Sequence, residues 1–514
     1  MKQQRKQLES VVVSAEQIRQ IEGRIFAAKM PVAALMEKAA YLSATRIQQL
    51  YPLCQFPSAG IIAGPGHNGG DTLVIARELH LAGYQVSIYL PTEKLKELTE
   101  RHAEYAKKLG IPFYQEIDIL SRCSFIIDGL FGFGLRRSIS GKLAAAIDKL
   151  SQWRKPIVSI DLPSGIHTDT GEVLGTAVKA TNTLCLGLWK LAFFQDAALD
   201  YIGDAERIDF GIPPMDVWSI VSKPPPIQQV TGDLARAYLP LCRPKLTHKY
   251  QQGHLLIICG SRRYAGGTIL TGLGARATGV GMLSIAVPES IKPLLVSHLP
   301  EALIIECPET RNGAIAGLAP LAADFSKYDV VACGPGLTTE VTKVVEQVLQ
   351  AESPLILDAD ALNILAELGT IENLSPREYP TVLTPHPGEF KRLFPDLDCS
   401  QDRIRSAQMA AKESGAIVLL KGARSAIAHP SGSVWLLGAS TPALARGGSG
   451  DVLTGAIGGL MAQNRNDLAP EITVAIAAWW HARAGILAAQ DRTELGVDAF
   501  TLSNYLIPAL KKML

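Results

Sequence analysis

Short apolar runs punctuate almost the whole chain. They occupy residues 59–63, 86–90, 125–128, 156–161 and 183–186, then 255–259, 282–286, 330–333, 355–358, 382–384 and 416–421. Between them, apolar residues return every three or four positions, which is the helical period. Strand-length runs alternating with helices predict largely parallel sheets covered on both faces, an α/β architecture of three layers. The beat fades between Gly211 and Gly253, a stretch that holds Pro213-Pro214, Pro224-Pro225-Pro226 and Pro240. Proline disfavours regular structure. The domain boundary is therefore expected at 213–228, with a first domain over 1–220 and a second over 225–514.

Two helix starts sharpen this frame. Ser14-Ala15-Glu16-Gln17 has capping-box spacing and opens an amphipathic stretch through Ile18, Ile21 and Ile25. Ser449-Gly450-Asp451 precedes a helix of small residues over 452–460. Its glycines cost helix propensity, so another backbone or a ligand is expected to approach it closely.

Composition adds exclusions. The chain has 514 residues, 47% hydrophobic and 19% charged, with a net charge of +1. That balance offers no general attraction to nucleic acid or acidic membranes. Eight cysteines are scattered without a CxxC pair, which reads as reduced core thiols rather than a zinc site or disulfide framework. No run reaches the ~18–20 apolar residues of a membrane span, and Val11-Val12-Val13 is too short for a signal-peptide core. A cytoplasmic enzyme acting on small molecules is expected. Small-residue helical surfaces permit a homo-oligomer.

Candidate chemistry concentrates at predicted strand ends. Gly447-Gly448-Ser449-Gly450 can converge backbone N–H groups at a helix start and bind phosphate. Asp451 follows immediately. A carboxylate there can take the proton of a hydroxyl attacking a phosphoryl group, or it can be a plain helix cap. Lys421-Gly422-Ala423-Arg424-Ser425 closes a strand with a cationic turn suited to nucleotide phosphates or ribose. His386 stands between Pro385 and Pro387 in a further strand-end loop, the place where parallel sheets bind ligands.

In this order the three segments resemble ribokinase-like kinases, most closely the branch acting on NAD(P)H hydrates. The segment from Gly260 to Gly267, Cys333-Gly334-Pro335-Gly336 and the segment from Leu357 to Asn363 complete the pattern. The resemblance implies an ADP- and Mg²⁺-dependent dehydratase. It phosphorylates the hydrate's hydroxyl, then eliminates phosphate to restore NADH or NADPH. By position, Gly267, Gly336, His386 and Asp451 would contact the hydrate. Lys421, Gly422, Ala423, Arg424, Ser425 and Gly450 would contact the nucleotide.

The first half repeats the strand-end theme. Gly64-Pro65-Gly66-His67-Asn68-Gly69-Gly70-Asp71 joins a strand to a helix, Asp128 opens a loop ending in Arg136-Arg137, and Asp161 and Ser164 follow the next strand. Asn68, Asp128 and Ser164 offer only hard oxygen ligands, which suit K⁺, Mg²⁺ or Ca²⁺ better than zinc. Equally, Asp128 and Asp161 can be caps of helices or turns.

These motifs resemble the Rossmann-like NAD(P)H-hydrate epimerase domain. The resemblance implies interconversion of R and S hydrates, with K⁺ at Asn68, Asp128 and Ser164. The hydrate site would comprise His67, Asn68, Gly69, Gly70, Asp71, Gly132, Phe133, Gly134, Leu135, Arg136, Arg137, Ser138 and Asp161. Asp161 is the expected proton-handling group, because inverting a hydroxyl-bearing carbon needs acid and base. The chain departs from the family pattern at His67, Thr72 and Phe133; of these, Phe133 is bulky and lies in a ligand loop. Together the halves suggest a bifunctional repair enzyme for hydrated nicotinamide cofactors. A small-molecule kinase with an N-terminal sensor, and an inactive N-terminal scaffold, are the competing readings.

Overall fold

The structure is a computed structural model describing residues 2–92, 94–463 and 468–512. It divides into two compact units, Met1–Pro226 and Ile227–Leu514.

The first unit is built on a seven-stranded parallel sheet. In chain order its strands are β2 (Ser58–Ala63), β3 (Gln85–Tyr89), β4 (Phe113–Tyr114), β5 (Phe125–Gly129), β6 (Ile157–Ile160), β7 (Asn182–Leu186) and β9 (Asp204–Ile208). Their spatial order is β4-β3-β2-β5-β6-β7-β9. The order reverses between β2 and β5, so loops leaving these neighbours part and open a crevice. A separate parallel pair joins β1 (Val12–Val13) to β8 (Trp189–Lys190).

Both sheet faces are buried, as alternation within strands requires. Ile61, Ile127 and Val158 pack with Ile47 and Leu79, which come from helices α2 (Val32–Leu50) and α3 (His67–Leu81). Ile62, Ile126 and Ile157 face the other way, against Ile147 and Leu150 of α4 (Gly141–Gln152). A smaller core holds α1 (Ala15–Ala27) by Ile18, Ile21 and Ile25. Ser14 caps α1 in the expected capping box.

The second unit carries a ten-stranded sheet. Its strands are β10 (Ile227–Gln229), β11 (His254–Ile258), β12 (Met282–Pro288), β13 (Leu303–Cys307), β14 (Val330–Cys333), β15 (Leu355–Leu357), β16 (Thr381–Leu383), β17 (Ile417–Leu420), β18 (Ala426–Ala428) and β19 (Val434–Leu436). The order is β10-β19-β18-β17-β16-β15-β14-β11-β12-β13. Seven strands from β11 to β17 are mutually parallel, while β18 runs antiparallel to both neighbours. The order reverses between β11 and β14. Leu255 and Ile257 face a core shared with the helices α5 (Ala265–Ala277), α6 (Ser449–Ala462), α7 (Pro470–Arg492) and α8 (Ala499–Lys511). Leu256 and Ile258, on the opposite face, are buried as well.

Three expectations need correction. The proline-rich stretch keeps regular structure, with short helices at Pro214–Trp218 and Gly232–Tyr238, because proline is tolerated in a first helical turn. Cys54 and Cys242 are exposed rather than core thiols. Finally, α7 does have the length and apolar character of a membrane span, with a mean hydropathy of 1.3. However, 72% of that window is buried, and Trp480 and neighbouring alanines belong to the core.

The small residues of α6 are explained by α5. A Cβ on Gly455 would collide with the Thr271 carbonyl, and one on Gly274 with the Val452 carbonyl. The two helix backbones therefore touch where side chains are missing. We expect Gly455→Val to destabilise the second unit by about 1–3 kcal/mol or more. Gly23→Ala, at an open position of α1, should stabilise the first by roughly 0.5–1 kcal/mol. Denaturant unfolding of the full chain measures both.

Candidate active sites

In the first unit, α3 follows β2, the 130–140 loop follows β5, and Asp161 follows β6. They surround a cavity of 720 Å³, within the about 300–1,000 Å³ typical of ligand pockets. His67, Asn68, Asp71, Gly132, Phe133, Gly134, Leu135, Arg136, Arg137, Ser138 and Asp161 line it. Gly69 and Gly70 are not among the lining residues. A Cβ on Gly69 would collide with the Gly64 carbonyl, and one on Gly70 would lie 2.8 Å from Met36 Cε. These glycines let α3 start tightly against its surroundings. Thr72 is also outside the cavity. Its hydroxyl donates to the Asn68 carbonyl at 2.6 Å, in space left by Gly129.

Asp161 takes a left-handed φ of 70°, a strained geometry that recurs where a side chain must be aimed. Its Oδ2 accepts the Phe133 N–H at 3.1 Å, and its Oδ1 meets Lys190 Nζ at 2.5 Å. Lys190 also donates to the Leu186 carbonyl at 2.6 Å. Burial would lower the Lys190 pKa, but the Asp161 carboxylate overrides it and holds the ammonium above its ordinary value. Glu22 of α1 lines the same cavity. Burial, with Asp161 adding to it, pushes the Glu22 carboxyl up to about 7. Burial raises Asp71 as well, and Asp161 and Glu22 reinforce the shift. Lys190 and Glu22 were not among the sequence-derived candidates.

Asp128 and Ser164 lie apart from the cavity lining. Buried Asp128 accepts hydrogen bonds from the Ser164 hydroxyl (2.6 Å), the Ser159 hydroxyl (2.8 Å), the Ser164 N–H (2.9 Å) and the Leu130 N–H (3.2 Å). Burial still raises its pKa above the ordinary value. Both amide atoms of Asn68 are buried without a hydrogen-bond partner.

The second site gathers the ends of β11, β14, β15, β16 and β17 around the start of α6. That helix begins at Ser449, not after Asp451, with Gly448 as a left-handed cap at φ 91°. Asp451 thus sits in the first turn. A Cβ on Gly267 would lie 3.0 Å from Asp451 Oδ2, and one on Gly450 would lie 3.4 Å from Lys421 Nζ. Gly267, Gly450, Asp451 and Lys421 therefore converge. Gly336 joins them through Tyr264, which its φ of 65° lets it approach.

Lys421 Nζ pairs with Asp358 Oδ1 at 2.8 Å and stands 4.0 Å from Glu389 Oε2. Thr454 donates to Asp358 Oδ2 at 2.7 Å. Burial alone would raise Asp358, but the Lys421 ammonium outweighs it and holds the carboxyl below its ordinary value. Among the described residues, Asp451 has no such ion-pair partner. Burial, then the Asp358 charge, pushes it up to about 7 despite Lys421.

His386 caps the helix Pro387–Leu393. Its Nδ1 accepts the Gly388 and Glu389 N–H groups at 2.9 and 3.3 Å, which leaves Nε2 as the donor end. Gly422, Ala423, Arg424 and Ser425 form the turn beyond Lys421, where the Ser425 hydroxyl donates to the Gly422 carbonyl at 3.2 Å. Asp358 entered the sequence reading only as part of a pattern. His481 was missed: it is buried, and its Nε2 lies 2.9 Å from the Ser449 carbonyl at the start of α6.

The chain thus joins two layered α/β domains with sites at strand ends: a cavity with a carboxylate–lysine pair in one unit, and a glycine turn beside a half-buried carboxyl in the other. Residues 255–508 match the family described as NAD(P)H-hydrate dehydratase, and residues 32–192 match the YjeF-related protein N-terminus. A Synechocystis protein named bifunctional NAD(P)H-hydrate repair enzyme Nnr is 56% identical over 504 residues, covering 98% of this chain and 95% of that one. The same-named protein of Moorella thermoacetica is 34% identical, covering 88% and 87%. The ADP/ATP-dependent NAD(P)H-hydrate dehydratase of Bacillus subtilis, crystallised with ATP and Mg²⁺, is 32% identical, with a TM-score of 0.47, across 55% of this chain and 98% of its own. The chain belongs to the family of bifunctional NAD(P)H-hydrate repair enzymes.

The buried Asp358–Lys421 pair makes a stability prediction. Removing one partner strands a buried charge, so Lys421→Met should cost about 3–5 kcal/mol. The double variant Asp358→Leu/Lys421→Met should cost less than the single variants summed. Chemical denaturation of all three variants measures the coupling.

Proposed function

We propose that this chain repairs hydrated NADH and NADPH in two steps. The first unit interconverts the R and S hydrates. The second dehydrates the S form at the expense of ADP, releasing AMP and phosphate.

The environment of Asp451 carries the second step. It is a half-buried carboxyl at the mouth of a phosphate-binding turn, facing Gly267. Asp451 takes the proton of the hydrate's hydroxyl as that oxygen attacks the terminal phosphorus of ADP, and the bond to the AMP oxygen breaks. The phosphate ester then leaves with its electron pair, the ring loses a proton from the neighbouring carbon, and the double bond of the dihydronicotinamide is restored. Lys421 and the N–H groups around Gly450 hold the phosphates. The Nε2 end of His386 and the small Gly267 and Gly336 shape the hydrate pocket. Gly422, Ala423, Arg424 and Ser425 face the rest of the nucleotide. Mg²⁺ carried in on the phosphates would use Asp358 or Glu389, since this ion takes few protein ligands, and would neutralise phosphoryl charge.

In the first unit the cavity holds the hydrate against Phe133, Leu135 and the basic Arg136 and Arg137, with Asp161 as the proton-handling group. K⁺ at Asn68, Asp128 and Ser164 belongs to the same reading. The unpartnered Asn68 amide supports it. Asp128 joins the ligand set once the Ser164 hydroxyl turns its proton away, because four hydrogen bonds already fill its acceptor capacity.

The test supplies hydrated NADH, ADP and Mg²⁺ and follows the absorbance of the reduced nicotinamide. Recovery is expected from the S hydrate, and also from the R hydrate faster than its spontaneous epimerisation. No recovery contradicts the reading. Asp451→Asn should lower dehydration by more than about tenfold while nucleotide still binds. Asp161→Asn should slow R-hydrate turnover alone.

The pH dependence follows from the same carboxyl. A base must be ionised, so dehydration should fall about tenfold per pH unit below about 7 and level off above it. For stability the sign is opposite. The raised Asp451 favours folding in full below its ordinary carboxyl range, and that contribution is lost as pH rises through about 7. A rate that stays flat down to about pH 5 counts against Asp451 as the base.

A further inference from the structure

Besides His67, Lys96, Arg136 and Arg137, the first unit's cavity is lined by Glu22, Asp71, Asp161 and Lys190. They come from different elements: α1, α3, the end of β6 and β8. Of the three carboxylates, only Asp161 has an ion-pair partner among the described residues. Lys190 is committed to Asp161, at 2.5 Å with both side chains almost wholly buried. Glu22 and Asp71 are half-buried without such a partner, and desolvation favours their protonated forms.

The placement of Glu22 is specific. Ile18, Glu22 and Ile25 stand four and three residues apart, on one side of α1. The isoleucines are buried in the core that docks this helix, so Glu22 is held toward the cavity rather than solvent. The N–H of Phe133 fixes the other oxygen of Asp161. The cavity thus presents one carboxylate clamped by a lysine and, in Glu22 and Asp71, two carboxyls without an ion-pair partner among the described residues.

We infer that Glu22 is the general acid that works against Asp161 in epimerisation, and that Lys190 is the positioning residue that keeps Asp161 a base. The inference rests on the epimerase reading of this unit. In a hydrated dihydronicotinamide the hydroxyl sits on a carbon next to the ring nitrogen. Glu22 donates its proton to that hydroxyl. The carbon–oxygen bond breaks, its electron pair leaves with water, and the nitrogen lone pair closes a carbon–nitrogen double bond. Water then adds to the opposite face, a new carbon–oxygen bond forms, and Asp161 takes the released proton. The cycle leaves Glu22 ionised and Asp161 protonated, the arrangement that the other epimer needs for the reverse passage. Exchange with solvent resets it. Carboxyls held at different protonation by their surroundings are the usual mark of such an acid/base division.

The charged groups facing Glu22 are Asp161, Lys190 and Asp71, with Arg19 on its own helix. Burial and Asp161 place its titration at about 7. The acid form is therefore lost as pH rises through that value, giving the R-to-S rate an alkaline limb.

The experiment follows interconversion of a purified epimer by chromatography, with the full chain and no nucleotide. Glu22→Gln should lower the rate by at least about a hundredfold, with KM little changed. Glu22→Asp should restore part of it. Lys190→Met should lower kcat with KM little changed, and Lys190→Arg should restore part of it. Wild-type protein in ¹⁸O-water should place one solvent oxygen in each inverted molecule, a readout that needs no variant. A Glu22→Gln rate within about tenfold of wild type, or inversion that keeps the original oxygen, overturns the assignment alone. Wild-type protein no faster than the spontaneous reaction overturns the epimerase reading with it.

Discussion

A carboxylate buried at the end of a parallel strand needs a counter-charge or a full set of hydrogen bonds, and in each unit one such carboxylate meets a lysine. Asp161 after β6 meets Lys190, and Asp358 after β15 meets Lys421. Each pair sets the local charge balance, and beside each stands a carboxyl with no ion-pair partner among the described residues. Glu22 and Asp451 are those carboxyls, and burial drives both up to about 7. A group poised there can hold or release a proton near neutrality, which acid–base chemistry requires.

The sheets explain why these groups meet. Parallel strands bring the loops that follow them to one edge, and reversal of strand order keeps that edge open. Missing side chains do the rest. Gly69 and Gly129 let α3 and Thr72 close in around the first site, and Gly274 and Gly455 let α5 meet α6 beneath the second. The glycine-rich motifs are thus only partly ligand loops; several exist so that two backbones can touch.

The strand-end motifs were legible because their chemistry is local. Asp451 beside four small residues, His386 between prolines and Lys421 before a glycine each declare themselves within a few positions. The capping box at Ser14 was readable for the same reason. Lys190 was not, because its meaning depends on Asp161, 29 residues earlier, and on a two-residue strand. The packing role of Gly69 and Gly70 is not legible, because a glycine that spares a backbone contact looks the same in sequence as one that cradles a ligand. Glu22 left a usable signal: a carboxylate on the same side of a helix as Ile18 and Ile25 is a polar group on an apolar stripe. The start of α6 was placed late because Ser449 and Gly450 read as loop residues, whereas the left-handed Gly448 already turns the chain into the helix.

The central claim is that Asp451 activates a hydroxyl so that phosphate leaves with it, and it is tested most directly by stoichiometry. Pure S hydrate of NADH is turned over with ADP and Mg²⁺, and AMP, inorganic phosphate and reduced nicotinamide are counted. The account predicts equal amounts of all three. AMP formed alongside a stable phosphorylated hydrate, with no reduced nicotinamide, would contradict it and make the second unit a kinase.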